Sequence, residues 1–265
     1  MDLQLDNQLA LVSGSTAGIG FAIAKTLAAE GARVIINGRS EARVNAALGA
    51  IRGALPAAKL EAFAGDLSRA EAAAEVGQRF PEVDVLVNNL GVYAPKPFAE
   101  ITDADWLAII ETNFLSGVRL ARHYLPGMIQ RKRGRILFIS SESAVNIPVE
   151  MIHYGVTKTM QVALARGLAE SVAGVPGVTI NSVLVGPTKS EGVEGFVADM
   201  AKSRGVAAGE VEEDFFRTVR PSSLLKRFET PDEIAAMVAF LASPLSVGTN
   251  GAAVRVEGGL LRSIL

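Results

Sequence analysis

Apolar positions along this chain recur in two rhythms, short β-rich runs and longer stretches with helical spacing, and the two alternate. Gln8–Ser13 predicts a strand and Ile19–Glu30 a helix. Arg33–Asn37 predicts a second strand, and Glu41–Leu55 a helix led by Ser40. Leu60–Ala64 is a strand, followed by a helix whose Ser68 and Glu71 have capping-box spacing. Val83–Asn88 is apolar at four of six positions, the composition of a strand covered on both faces. A long helix opens at Thr102, with Asp105 three residues on, and runs to about Arg131. Arg135–Ser140 is then a strand, Met151–Ala173 a helix and Val178–Val185 a strand. Thr230-Pro231-Asp232-Glu233 starts a helix that ends near Ser243-Pro244, and Ala252–Val256 is the last strand. Seven strands alternating with six helices predict an α/β doubly wound (Rossmann-type) parallel sheet, helices on both faces, in a single domain 1–265. One segment breaks the rhythm: 188–227 has no strand and one helical stretch, Glu210–Thr218. A loop that long in a compact domain is usually functional, and its place after the sixth strand predicts a substrate lid.

Composition narrows the function. With 26 basic and 28 acidic residues the formal charge is −2, which gives no electrostatic case for nucleic acid or an anionic membrane. Cysteine is absent, and His123 and His153 are the only histidines, so no disulfide, thiolate nucleophile or multi-histidine metal centre is expected. The opening MDLQLDNQLA lacks the pattern of a signal peptide, and no apolar run reaches membrane-span length. The expectation is a cytoplasmic protein with room for an organic cofactor.

The first strand runs into Ser13-Gly14-Ser15-Thr16-Ala17-Gly18-Ile19-Gly20, with a helix directly after. A pyrophosphate there would meet free backbone N–H groups and the positive end of the helix dipole. The spacing is G-x-x-x-G-x-G rather than G-x-G-x-x-G. The second strand ends Asn37-Gly38-Arg39, where an NAD-specific site would carry an acid for the ribose 2′-hydroxyl. Arg39 can fork onto a 2′-phosphate, and the missing carboxylate removes a repulsion against it. NADP(H) is therefore favoured, with NAD(H) the alternative.

Tyr154-Gly155-Val156-Thr157-Lys158 places a phenol and an ammonium one helical turn apart. An ammonium beside a phenol lowers the phenol's pKa toward neutrality, as a general acid or base for a carbonyl/alcohol pair requires. The strand before that helix ends Ser140-Ser141-Glu142-Ser143, which offers a hydroxyl to a substrate carbonyl.

With these motifs in this order, the sequence resembles the short-chain dehydrogenase/reductase family over nearly its whole length. The glycine turn resembles T-G-x-x-x-G-I-G with Ser13 for Thr, and Asp66-Leu67 the pair that contacts adenine. Asn88-Asn89-Leu90-Gly91 resembles N-N-A-G with Leu90 for Ala, and Val185-Gly186-Pro187-Thr188 the P-G loop at the nicotinamide with Val185 for Pro. The resemblance implies four catalytic residues. Lys158 binds the nicotinamide ribose and lowers the Tyr154 pKa, and Tyr154 exchanges a proton with the substrate oxygen. Ser141, thirteen residues before the tyrosine, orients that oxygen, and Asn113 holds a relay water. Together with Arg39 from the second strand, it gives a cofactor site of Gly14, Ser15, Thr16, Gly18, Ile19, Gly20, Arg39, Asp66, Leu67, Asn89, Gly91, Tyr154, Lys158, Gly186, Pro187 and Thr188. It also implies a homotetramer or dimer through the long fourth and fifth helices.

The remaining features divide between function and packing. His153 adjoins the tyrosine but faces elsewhere on the helix. Arg131-Lys132-Arg133 could dock an acidic carrier or a coenzyme A phosphate, though cations suit any helix C-terminus. Tyr93, Ile147, Pro148, Val149, Met151 and Phe196 could line an apolar pocket or belong to the core. The expected function is an NADP(H)-dependent oxidoreductase of a carbonyl/secondary-alcohol substrate, with a 3-oxoacyl thioester as one candidate. The alternatives are an NAD-dependent sugar, steroid or other secondary-alcohol dehydrogenase, and a redox-silent dinucleotide sensor.

Overall fold

The structure is a computed structural model that describes residues 1–264, apart from the side chains at 191, 192 and 196. Seven strands form one all-parallel sheet: β1 (Leu9–Val12), β2 (Arg33–Gly38), β3 (Lys59–Ala64), β4 (Val85–Asn88), β5 (Gly134–Ser141), β6 (Val178–Val185) and β7 (Ala253–Val256). Their order is β3-β2-β1-β4-β5-β6-β7, so the direction of winding reverses between β1 and β4. Parallel pairing puts the carboxyl ends of all the strands on one edge, where ligands bind in such sheets.

The period of two along the strands sends alternate side chains to two cores. Ala10, Val12, Val34 and Ile36 face α1 (Gly18–Ala29), α2 (Glu41–Ala54) and α9 (Pro231–Ala242). Leu9, Leu11 and Ile35 face α3 (Ala70–Arg79), α5 (Ser116–Arg131) and α6 (Ile152–Ser171). Both faces are covered, as the apolar strands predict.

Three expectations need correction. Ser68 and Glu71 do not form a capping box: Arg69 is the N-cap of α3, and Ser68 Oγ instead donates to Asp66 Oδ1 at 2.7 Å, joined by Ser68 N at 3.1 Å. A carboxylate two residues back outcompetes the helix for that hydroxyl. The helix opened by the Thr102–Asp105 capping box is not continuous either. It runs as α4 (Asp103–Ile110), widens into a π turn at Glu111–Leu115, and resumes as α5. Finally, 188–227 holds two helices rather than one, α7 (Glu191–Arg204) and α8 (Ala208–Thr218). α8 is anchored by Phe215 and Phe216, which pack on Phe228 with ring centroids 5.1 to 5.2 Å apart.

Candidate active site

The turn after β1 is tied together by neutral groups. Gly14 and Gly18 have φ of +64° and +55°, which other residues adopt only with strain. A Cβ on Gly20 would stand 2.4 Å from the Gly14 carbonyl oxygen, so glycine lets α1 start directly on the turn. Buried Asn37 accepts from Gly14 N at 3.0 Å and donates to the carbonyls of Phe63 and Gly65. Its own backbone exchanges bonds with Ser15. On the other side Ser13 Oγ accepts from the amides of Asn89 and Leu90, and Asn89 Nδ2 donates to the carbonyls of Ser13 and Gly14. Serine thus supplies here the hydroxyl that threonine would. No side chain caps α1 at Ala17, which leaves the first amides of that helix for a ligand.

The other expected cofactor residues lie on the same edge. Arg39 is exposed just beyond β2. Asp66 follows β3, while the Leu67 side chain belongs to the core. Gly91 follows β4, and a Cβ there would lie 3.3 Å from Lys158 Nζ. Gly186, Pro187 and Thr188 follow β6.

Tyr154, Ser141, Lys158 and Asn113 converge opposite the glycine turn. Ser141 ends β5, accepts from Ser143 N at 3.1 Å, and its hydroxyl lowers the pKa of the Tyr154 phenol beside it. Of the neighbouring serines, Ser140 Oγ is engaged by the Lys158 carbonyl at 2.9 Å and Ser143 Oγ by Glu142 Oε1 at 3.2 Å. Lys158 Nζ donates to the Ile139 carbonyl at 2.8 Å and sits 5.6 Å from the centre of the Tyr154 ring.

The protonation states correct the expectation of a phenol pulled toward neutrality by Lys158. Burial pushes Tyr154 up to about 12, against the lowering by the Ser141 hydroxyl. The same burial takes Lys158 down to about 8. An ammonium that is itself desolvated, and spent on a carbonyl, does not offset the loss of water around the phenol.

The π turn in the helix before β5 carries Asn113. Its Oδ1 accepts from Val92 N at 2.8 Å, and its Nδ2 donates to the Val92 carbonyl and to Thr157 Oγ1. Gln161 Nε2 donates to the Asn113 carbonyl at 2.6 Å. The widened turn therefore fixes Asn113 between the β4 loop and α6.

Below the loop after β6 lies a buried carboxylate that the motifs did not reveal. Glu229 Oε2 accepts from Gly186 N at 3.0 Å, and its backbone bonds Pro187 and Lys189. Burial raises Glu229 to about 7. Glu142, next to Ser141, is also buried and pairs with Arg220 Nε at 3.2 Å. Asn37 was visible as a polar residue within an apolar strand, and Glu142 as a carboxylate at a strand end. Nothing local marks Arg220 or Glu229.

Other candidates fall elsewhere. His153 is buried edge-on against Trp106 of α4, with ring centroids 6.0 Å apart. Arg131 pairs with Glu82 and Arg133 with Asp84, at the opposite edge of the sheet from the glycine turn. Tyr93 meets the Tyr154 ring edge-on at 6.1 Å, and Ile147 and Val149 are exposed nearby, whereas Pro148 is buried and Met151 half-buried. The Phe196 side chain lies outside the described residues. A cleft of about 430 Å³ runs beside Arg220, walled also by Val145, Asn146, Val219, Leu260 and Arg262. Among the described residues there is no cluster of three metal-ligating side chains and no helix long and apolar enough to cross a membrane.

Similarity to known proteins spans the whole chain. The sequence model described as Enoyl-(Acyl carrier protein) reductase matches residues 14–261. The uncharacterized oxidoreductase YvaG of Bacillus subtilis (strain 168) is 47% identical over 264 residues, 100% of each chain. The D-beta-hydroxybutyrate dehydrogenase of Cupriavidus necator is 32% identical over 260 residues, 96% of this chain and 98% of that one. L-sorbose reductase from Gluconobacter frateurii, solved in complex with NADPH and L-sorbose, superimposes with a TM-score of 0.91 over 100% of both chains at 28% identity.

Proposed function

The chain belongs to the short-chain dehydrogenase/reductase family and is an NAD(P)-dependent oxidoreductase of carbonyl/alcohol pairs, and on that premise we propose that it is an NADP(H)-dependent ketoreductase with Tyr154 as its acid/base. The convergence of Tyr154, Ser141, Lys158 and Asn113 at one strand edge carries this reading.

The cofactor preference rests on the end of β2. A Cβ on Gly38 would stand 2.5 Å from Thr16 Cγ2, so an acidic residue at that position would have to push the Thr16 side chain aside. Exposed Arg39 follows Gly38 directly and is suited to a 2′-phosphate. Gly14, Ser15, Thr16, Gly18, Ile19 and Gly20 would hold the pyrophosphate, Asp66 and Leu67 the adenine, and Asn89, Gly91, Lys158, Gly186, Pro187 and Thr188 the nicotinamide half. The nicotinamide, when bound, supplies or accepts the hydride.

Ser141 orients the substrate oxygen, and Tyr154 gives that oxygen its proton as the carbon is reduced. A phenol kept protonated by burial suits the reductive direction. Lys158, brought to about 8, is the group best matched to pass a proton onward at neutral pH, with Asn113 anchoring a relay water. The exposed apolar side chains of Tyr93, Ile147 and Val149 favour a free ketone with an apolar body. A carrier-bound 3-oxoacyl thioester has less support, because Arg131 and Arg133, two of the three cations at 131–133, are engaged in ion pairs. The segment 188–227 acts as the substrate lid. The protein works as a homo-oligomer, probed by a groove of about 370 Å³ on α5 and α6 lined by Val118, Ala121, Leu125, Ile129, Leu164 and Leu168. A second copy of the same two helices would fill it. The cytoplasm is the compartment this reading expects.

The test is Tyr154→Phe. Reduction of ketones by NADPH should fall by about a thousandfold or more while NADPH still raises the thermal midpoint. Undiminished turnover would remove Tyr154 from the mechanism.

A further inference from the structure

Arg220 sits two residues past the end of α8, yet it reaches the catalytic edge of the sheet. Its Nε donates to Glu142 Oε1 at 3.2 Å, and its Nη1 lies 3.7 Å from Glu150 Oε1. The Glu142 and Arg220 side chains are only 4% and 11% exposed, so this is an ion pair out of water rather than a surface contact. From Glu142 a chain of bonds leads straight into the site. Ser143 Oγ donates to Glu142 Oε1 at 3.2 Å, Ser143 N donates to Ser141 Oγ at 3.1 Å, and the Ser141 hydroxyl stands beside the Tyr154 phenol, whose pKa it lowers. The second carboxylate oxygen, Glu142 Oε2, is buried without a hydrogen-bond partner. A buried carboxylate with half its acceptors idle is costly, and it persists only where a cation compensates it.

We propose that Glu142 and Arg220 are positioning residues that fasten the 188–227 segment to the catalytic strand end and balance the charge beside Tyr154. The pair rests on the reading of Tyr154 and Ser141 given above. It touches neither substrate nor cofactor in this role and acts through Ser143 and Ser141.

The groups facing Tyr154 from each neighbouring element are few. Tyr93 approaches from the β4 loop, Ser141 and Glu142 from the end of β5, and Arg220 from beyond α8, while Lys158 shares its helix. Around Glu142 stand Ser143, Arg220 and Glu150. Glu142 and Arg220 act on the phenol in opposite senses, the carboxylate raising its pKa and the guanidinium lowering it. Neutralising one partner should therefore move the phenol one way, neutralising the other should move it the opposite way, and removing both should restore it. A lesion that merely loosened the segment would give no such reversal of sign.

The chain has only three tyrosines, Tyr93, Tyr124 and Tyr154. In protein labelled with 13C at the tyrosine ζ carbon, the Tyr154 signal is identified by its loss in Tyr154→Phe and followed against pH, with circular dichroism reporting the folded range. Glu142→Gln should move the Tyr154 midpoint down by about 0.5 to 1 pH unit, and Arg220→Met should move it up, read as less phenolate than in the wild type at every alkaline pH where the fold is intact. The double variant Glu142→Gln/Arg220→Met should return to within about 0.3 unit of the wild type. If one single variant does not fold, the double variant and the other single still give the comparison. A Tyr154 midpoint that stays put in the single variants, or shifts in the same direction in both, overturns the proposal. The titration needs no substrate, so it is independent of whether Tyr154→Phe loses turnover. That loss tests the acid/base reading alone.

Discussion

At the carboxyl edge of the sheet, the turn after β1 and the turn after β5 are built from different chemistry. Around the first, Ser13, Asn37 and Asn89 hold the backbone with neutral hydrogen bonds. Among the described residues no charged side chain is buried at that turn. Around the second, Glu142, Lys158 and Arg220 are all buried, with Glu229 under the next loop. Neutral amides and hydroxyls set a shape that does not change with pH, which suits a turn that must present backbone N–H groups to an anion. Proton transfer cannot be built that way. It needs groups whose protonation is movable, and burial moves it.

The sharpest way to break this contrast is to put a titratable group into the neutral turn. Asn37→Asp keeps the oxygen that accepts from Gly14 N but replaces the amide that serves the Phe63 and Gly65 carbonyls. Two carbonyls facing a carboxylate favour its protonated form, so its folded pKa should lie above the unfolded value. The stability of the variant should then decline as pH rises past about 4, with a deficit of about 3 kcal/mol at neutral pH relative to wild type. Denaturant melts at pH 5 and pH 8 measure this. An equal deficit at both would show that the turn tolerates charge.

The catalytic side already carries such a dependence, of slightly smaller size. The Glu229 pKa is raised from 4.5 to about 7, so between those values the folded protein holds more protons than the unfolded chain, and stability falls as pH rises. Lys158 is lowered from 10.5 to about 8, so between 8 and 10.5 the unfolded chain holds more protons, and stability climbs with pH. Stability should pass through a minimum near pH 7 to 8. Glu229→Gln should remove about 2 to 3 kcal/mol of the acid-side decline, keep the part that buried Glu142 adds, and leave the alkaline rise. A Glu229→Gln profile that declines between pH 4.5 and 7 as steeply as the wild type would place the titrating group elsewhere.

The contrast also explains what was legible from the residues in order. The strands were readable because both faces of the sheet are apolar, and their ends fell within a few residues of Val12, Asn88, Ser141 and Val185. The glycine turn and the Tyr154–Lys158 spacing were readable because each is local, set by backbone geometry or by one helical turn. What stayed hidden is long-range. Glu142 and Arg220 are 78 residues apart, and Gly186 and Glu229 are 43 apart. The π turn at Asn113 was hidden for a related reason. It answers to Val92, Thr157 and Gln161 on other elements, not to the propensities of Glu111–Leu115. The Tyr154 pKa was misjudged because spacing gives the distance to a cation but not the loss of water around the phenol.

The smallest effect falls on the exposed cation at the neutral edge, Arg39, just beyond β2. Because it lies outside the hydrogen-bonded knot, Arg39→Ala should leave stability and the turn unchanged. Only ligands that carry a 2′-phosphate should notice the loss, since only they place a dianion where the guanidinium can fork onto it. NADPH affinity should weaken by about tenfold or more while NADH affinity moves by less than about twofold. Thermal midpoints against ligand concentration at fixed salt measure both. Equal losses for the two cofactors would mean that Arg39 serves the adenosine half without regard to the phosphate. The preference would then have to come from the space at Gly38 alone, where a Cβ already meets Thr16.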